Sequence, residues 1–216
     1  MGNNKQHVTE KYVTGKGELT GFIAITKPST KFNKDGVYSI NILLPQKEGE
    51  ALVQKIKDIR TKQFKEYGKG TKVVEITKCK PYEIVDKETG EGTPDKEGRY
   101  ILAANASAYI ENGKPKKKII IYNAKCKPIT GNINVGEGTI ATLGITLSGY
   151  SVAGKTGVSV KLEAVQIIKL VEYSGSGFKA DMFTVEEGYD GIGEEVEEET
   201  ISEEPEVEED EEEEDF

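Results

Sequence analysis

Residues 139–173, TIATLGITLSGYSVAGKTGVSVKLEAVQIIKLVEY, decide between two architectures. Inside them, Gly149-Tyr150-Ser151-Val152-Ala153-Gly154-Lys155-Thr156 matches the phosphate-cradling pattern G-x4-G-K-T. In a phosphate loop that glycine run leaves a strand and opens a helix. Here the residues that follow, Gly157-Val158-Ser159-Val160-Lys161-Leu162, alternate and carry no helix signal. A period of two belongs to a strand with one buried face. The stretch reads as a β-hairpin whose loop fits the pattern by chance, which leaves Lys155 as a basic residue between two strands. On the first strand Ala141, Leu143, Ile145 and Leu147 face the core, while Thr142, Gly144, Thr146, Ser148 and Tyr150 face outward. On the second, Val158, Val160, Leu162 and Ala164 keep phase and then slip to Val165, Ile167 and Lys169. A slip of one residue is what a β-bulge produces, and bulges bend strands.

Upstream, RYILAANASAYI (residues 99–110) alternates Tyr100, Leu102, Ala104, Ala106 and Ala108 with Ile101, Ala103, Asn105, Ser107 and Tyr109. VYSINILLP (37–45) repeats Tyr38, Ile40, Ile42 and Leu44 on one face, so Tyr38 belongs to the core, and Pro45 closes the strand. ELTGFIAITKP (18–28), KVVEITK (72–78) and IIIY (119–122) add further strands, and residues 87–98 are turn-rich. One helix is expected, roughly Glu48 to Tyr67. Leu52, Val53, Ile56, Ile59, Phe64 and Tyr67 fall on one arc at about 100° per residue, Lys55, Asp58, Lys62 and Lys65 face away, and Gly68 and Gly70 end it. Five to six strands with one helix predict a mainly β domain, a small antiparallel barrel rather than a parallel α/β sheet. Residues 1–17 are polar and read as a flexible arm.

Charge divides the chain further. Of 38 acidic side chains, 19 lie in residues 186–216, which contain no Lys or Arg; residues 1–185 hold the other 19 and all 29 basic ones. The formal net charge of −9 thus combines a basic body with an acidic tail. Such a tail buries too little apolar surface to order itself, so 186–216 is expected to be disordered and 18–185 to form the domain. The two charges attract, so any polyanion bound by the body competes with the tail.

Composition also sets exclusions. No run approaches the ~20 apolar residues of a membrane span. The N-terminus lacks the apolar core of a signal peptide, and Gln6 stands where myristoylation wants Ser or Thr. Cys79 and Cys126 are too few for a disulfide scaffold and fit a reducing cytosol. With His7 the single histidine, no Ser/His/Asp set can be assembled, and His7, Cys79 and Cys126 lack zinc spacing. Neither an enzyme nor a metal or cofactor is expected.

Three groups of residues suit a single-stranded nucleic acid, for which lysines neutralise phosphates and rings stack on bases. The loop Lys27–Gly36 sets Phe32 among Lys27, Lys31 and Lys34; the plain alternative is a polar loop with Phe32 folded onto the core. The outward row ending in Tyr150 makes a shallow groove with a stacking platform, and Tyr109 points outward beside Asn105 and Ser107; a solvated sheet face reads the same way. The run Lys114–Lys118, with Lys116, Lys117 and Lys118, leads to Tyr122, Lys125 and Lys127, though basic turns are often only solubilising. Arg99 abuts Tyr100, and Arg60 is the other arginine. Lysines make point-charge phosphate contacts rather than bidentate base readings, which favours sequence-independent binding. Lys-Cys-Lys-Pro occurs at 78–81 and again at 125–128. It reads as coincidence in a lysine-rich chain, the alternative being that two strand ends deliver Lys78, Lys80, Lys125 and Lys127 to one rim.

STKFNKDGVYSINILLP (29–45), the helix and late strand pair, and the ending Glu-Glu-Glu-Glu-Asp-Phe resemble the single-stranded DNA-binding proteins of tailed bacteriophages. The resemblance implies an OB-fold body that coats single strands during DNA replication, recombination and repair. It implies DNA contacts from the loops Pro28–Gly36 and Ser151–Gly157, host-cell cytoplasm as the location, and an acidic tail whose Asp215 and Phe216 recruit a replicative DNA polymerase and a helicase–primase. Self-association as a homodimer stays open. One departure is that the helix follows the second expected strand, whereas a standard OB-fold inserts it after the third. The rival readings are an acidic chaperone or DNA mimic, a nucleotide-binding protein using Gly149–Thr156, and an RNA-binding OB-fold.

Overall fold

The computed structural model describes residues 7–31, 33–86, 88–111, 114–131 and 133–173. They form β1 (Thr9–Val13), β2 (Gly17–Ser29), β3 (Val37–Leu44), α1 (Gln46–Tyr67), β4 (Lys72–Val73), β5 (Cys79–Pro81), β6 (Glu83–Val85), β7 (Gly92–Pro94), β8 (Tyr100–Ser107), β9 (Ile110–Glu111), β10 (Lys114–Pro115), β11 (Ile120–Tyr122), β12 (Ile140–Val152) and β13 (Lys155–Lys169).

β12 and β13 pair antiparallel from Val152↔Lys155 to Ile140↔Lys169. Their turn residues Ala153 and Gly154 both have positive φ, +50° and +72°. That is the backbone a two-residue hairpin turn needs to match the twist of its strands. Ala141, Leu143, Ile145 and Leu147 are buried, as the alternation predicts. The slip is there too. Gly144 faces Ala164 and Ile145 faces Leu162, which leaves Glu163 as the inserted residue of a bulge.

The main sheet follows from this hairpin. β12 pairs β2 at Ile140↔Glu18 and Ala141↔Gly17, β2 pairs β3, and β3 pairs β8, all antiparallel. β8 then meets β13 in parallel at Asn105↔Lys161. An all-antiparallel sheet of five or six strands was expected, and this is the main correction to it. The sheet is nine-stranded and mixed, with β4, β8 and β11 all parallel to β13. All three lie along β13, at Lys155–Thr156, Lys161 and Ala164–Gln166. Parallel neighbours need long crossovers, and the chain between β8 and β13 supplies one that includes β12 itself. The segment expected as a loose arm also contributes a strand. Residues 9–13 lie along β12, Thr9 opposite Ser148 and Val13 opposite Gly144.

One helix is found among the described residues. Leu52, Ile56 and Ile59 are buried against the sheet, each the equivalent of about 1.5–3 kcal/mol of apolar burial. Phe64 and Tyr67, expected on the same arc, are more than a third exposed. Gln63 takes the inward position instead. Its Oε1 accepts from the Val8 amide (3.0 Å), and its Nε2 donates to Ser151 Oγ (3.3 Å). Ser151 Oγ lies 2.9 Å from Thr156 Oγ1, which lies 2.6 Å from Thr71 Oγ1. A satisfied polar network thus locks the C-terminal half of α1 to the tip of the β12–β13 hairpin. Among the described residues no helix is long and apolar enough to cross a membrane.

Candidate functional site

Two chain segments converge on the end of β8. Ala108 N donates to Gly36 O and Ile110 N to Asp35 O, both at 2.9 Å, so the β2–β3 loop is clamped around Tyr109. From the other side, Lys116 N donates to Tyr109 O (3.2 Å) and Lys117 N to Ala108 O (3.0 Å). Tyr109 adopts φ +51° and is 56% exposed. The fold therefore brings Lys31 and Lys34 of the loop, the Tyr109 ring and Lys116–Lys118 into one neighbourhood. Lys27, near the end of β2, is exposed on the approach to the same loop.

Phe22 extends this neighbourhood, and sequence reading missed it. Between Thr20↔Asn41 and Ala24↔Ser39 the register of β2 shifts, so three residues of β2 oppose one of β3. Gly21 takes φ +66°, a conformation closed to most side chains, and its amide and the Thr20 hydroxyl both donate to Glu137 Oε1 (3.1 and 2.6 Å). The bulge leaves Phe22 64% exposed. With Ser29, Lys31, Asn33, Val37 and Ser39 it lines a recess of about 480 Å³. The available signal was the outward phase of Phe22, opposite to Leu19, Ile23 and Ile25, directly after a glycine.

The row that continues from this recess crosses three strands. Ser39 of β3 faces Asn105 of β8, and Asn105 faces Lys161 of β13. Asn105 also lines a second recess, of about 210 Å³, with Lys78, Tyr150 and Ser159. Tyr150 lies over Gly157, where an added Cβ would stand 2.5 Å from its hydroxyl. Lys155 is exposed at the hairpin tip beside Lys72. The phosphate-loop reading fails at this point, because Lys155 opens a strand and the Thr156 hydroxyl is engaged by Thr71 and Ser151.

Other expected residues do not join. Arg99 Nε and Nη2 donate to the two carboxylate oxygens of Asp95 at 3.0 and 3.1 Å. Glu97 and Glu18 lie 3.4 and 3.6 Å from its guanidinium, and the Tyr82 ring centroid lies 5.9 Å away. It braces the β6–β7 hairpin instead of facing the groove. The Arg99 hydrogen bonds hold the Asp95 carboxyl below the usual carboxylate range against the desolvation that would raise it. Lys80 is exposed on β5, directed from a strand that pairs with β8 at Ile101. Tyr122 pairs with Gln166, eleven residues along β13 from Lys155 and five from Lys161, about 36 and about 17 Å at 3.3 Å per residue. Lys125 and Lys127 sit in the adjoining turn, where Asn123 Oδ1 accepts from both their amides. The Lys-Cys-Lys-Pro echo is coincidence in structural terms. Its first copy runs into a strand with Cys79 buried, and its second is a turn with Cys126 exposed at φ +57°. Phe32, Asp215 and Phe216 lie outside the described residues. Among the described residues no three His, Cys, Asp or Glu side chains gather to hold a metal ion.

A family model described as Enterobacter phage Enc34, ssDNA-binding protein matches residues 10–199. The crystal structure of gp2.5, a single-stranded DNA binding protein encoded by bacteriophage T7, is similar with a TM-score of 0.54 at 16% identity, covering 79% of this chain and 97% of that one. The single-stranded DNA-binding protein from bacteriophage Enc34 in complex with ssDNA is similar with a TM-score of 0.51 at 16% identity, covering 78% and 90%. A comparison with curated proteins finds no match.

Proposed function

This chain belongs to the Enterobacter phage Enc34 ssDNA-binding protein family, and on that premise we propose that it binds single-stranded DNA without regard to sequence, in phage DNA replication, recombination and repair. The observation that carries the reading is the row Ser39–Asn105–Lys161, which joins the Phe22 recess to the Tyr150 recess. Three rings, Phe22, Tyr109 and Tyr150, flank a track edged by lysines of the β2–β3 loop, the 114–118 run, Lys78 and Lys155. Rings offer a face to any base, and ammonium groups meet phosphates without reading bases. The circuit β12–β2–β3–β8–β13 and back to β12 supports an OB-fold barrel as the scaffold, with its helix after the second barrel strand.

The acidic segment 186–216 completes the proposal as a competitor. Nineteen carboxylates on the same chain as a basic domain (18–185) lower the affinity for weakly bound polyanions more than for a stackable single strand. When DNA takes the domain, Asp215 and Phe216 become available to basic-rimmed apolar pockets on replication proteins, a replicative polymerase and a helicase–primase, in the host cytoplasm. Competition among single-stranded DNA, duplex and RNA, with the full chain and with one ending at residue 185, tests this. The shorter chain should bind single strands more tightly and with a steeper salt dependence. Equal affinities would remove the tail from the mechanism, and preference for RNA would redirect the whole reading.

A further inference from the structure

Beyond the track itself, one acidic side chain stands inside the basic neighbourhood where a phosphate belongs. Glu163 is the residue that the β13 bulge inserts. Lys117 Nζ reaches its Oε2 at 2.9 Å, Lys161 Nζ its Oε1 at 3.3 Å, and the Thr146 hydroxyl donates to Oε1 at 3.4 Å. Two ammonium groups and a hydroxyl converging on two oxygens form the donor set of a phosphate site. The site is open to solvent. Side-chain exposure is 36% for Glu163, 28% for Lys117 and 49% for Lys161. It also adjoins the proposed track, because Lys161 is the partner of Asn105, and the Lys117 amide donates to the carbonyl of Ala108, the residue preceding Tyr109.

We infer that Lys117, Lys161 and Thr146 form a subsite for a backbone phosphate of the single strand, which the Glu163 carboxylate occupies until the strand displaces it. The inference rests on the single-stranded DNA reading above and adds an internal competitor to it. Burial alone would push the Glu163 carboxyl up, but hydrogen bonds from Lys117 and Lys161 outweigh it and hold the group below the usual carboxylate range. At neutral pH the occupant is therefore an anion. The exchange replaces a carboxylate of one charge by a phosphate of one charge, so the occupant of the site carries the same charge in both states. The carboxylate lowers affinity without removing the site, and it sets a threshold that weak, transient polyanions do not pass.

The test uses the full chain and a fluorescein-labelled oligo(dT), titrated by anisotropy between about 50 and 200 mM salt. Glu163→Gln should bind about two- to fivefold more tightly, the affinity equivalent of a half-exposed ion pair. Its log K against log salt should steepen by up to about 0.7, because no displaced carboxylate is left to take up a cation in exchange for the phosphate contact. Lys117→Ala should then cost more affinity in the Glu163→Gln background than in the parent chain, where the carboxylate already engages that lysine. Glu163→Ala should tighten binding in the same direction, which covers the case in which the glutamine amide disturbs the bulge. Unchanged affinity and slope at an unchanged melting temperature would overturn the inference. Weaker binding with a lowered melting temperature would overturn it as well, by making Glu163 a brace for the bulge. A parent chain that does not retain oligo(dT) would instead overturn the DNA reading on which the inference rests.

Discussion

Asn105 and Lys161 form the register pair that joins β8 to β13, and both side chains are exposed at it. They stand 56 residues apart in sequence and meet where the first three strands of the circuit run up against the last two. The join is therefore also the middle of the proposed track, and substitutions near it separate binding from stability.

Phe22→Ala should weaken oligo(dT) binding by about 1–3 kcal/mol, the contribution of one base–aromatic stack. The ring is 64% exposed, so the melting temperature should stay near that of the parent. Anisotropy titration beside a thermal melt reads both quantities, and unaltered binding would take Phe22 out of the interface.

Lys78→Ala and Lys155→Ala should each weaken binding to oligo(dT) and to mixed-sequence oligonucleotides alike. Each should make the salt dependence shallower by about 0.7, as expected for the loss of one phosphate contact. Tyr122→Ala and Lys125→Ala, far along β13, should leave that slope unchanged.

Arg99→Ala should destabilise the fold while leaving the salt slope alone, because its guanidinium is engaged by Asp95, Glu97 and Glu18. Arg99 holds the Asp95 carboxyl below its unfolded value of about 3.9. That stabilisation is present above the unfolded value and is lost as pH falls through the folded one. Thermal melts of the parent and variant should accordingly differ at neutral pH and converge in acid; a difference that persists in acid would contradict the assignment.

Gln63→Leu should destabilise the domain by about 1–3 kcal/mol, since the Val8 amide and the Ser151–Thr156 hydroxyls lose a buried partner. Hydrogen exchange should show faster exchange at the Val8 amide. DNA binding at a temperature where the variant is folded should change little.

Thiol titration should separate the two cysteines. Burial pushes the Cys79 thiol up to about 12, so it stays protonated and shielded at pH 8. Cys126 is exposed and should react with a disulfide reagent in the folded protein, with Cys79 following only after denaturant is added.

Much of this was legible in the residues, and the exceptions have physical causes. The β12–β13 hairpin showed itself through a period of two on both strands, and its bulge through a slip in that period. The helix showed itself through Leu52, Ile56 and Ile59. Gln63 did not, because a buried amide is acceptable only where partners from β12 and from residue 8 meet it, and no helical arc encodes those. The parallel contacts of β13 with β4, β8 and β11 were invisible for the same reason, since periodicity reports which face is buried and not which strand lies alongside. β1 alternates between exposed and half-buried positions, too weak a contrast to distinguish it from a polar arm. Phe22 carried a signal in its outward phase after Gly21, but the bulge beside it lies in the β2–β3 register, which periodicity does not report. The Arg99 pairing was in plain view, with Asp95 four residues earlier at the foot of the same hairpin.

The position of β13 at the end of the described chain has a further consequence for how the molecule is made. It pairs with β12, β8, β11 and β4, so these segments remain incomplete until residues 155–169 have been synthesised. Of these contacts, those with β4, β8 and β11 span long sequence distances and form late and slowly. A nascent or prematurely ended chain would present the part of the β8 edge beyond its β5 pairing, around Asn105, to whatever strand is nearby. Synthesis of residues 155–169 is thus the step at which these segments gain their last partner.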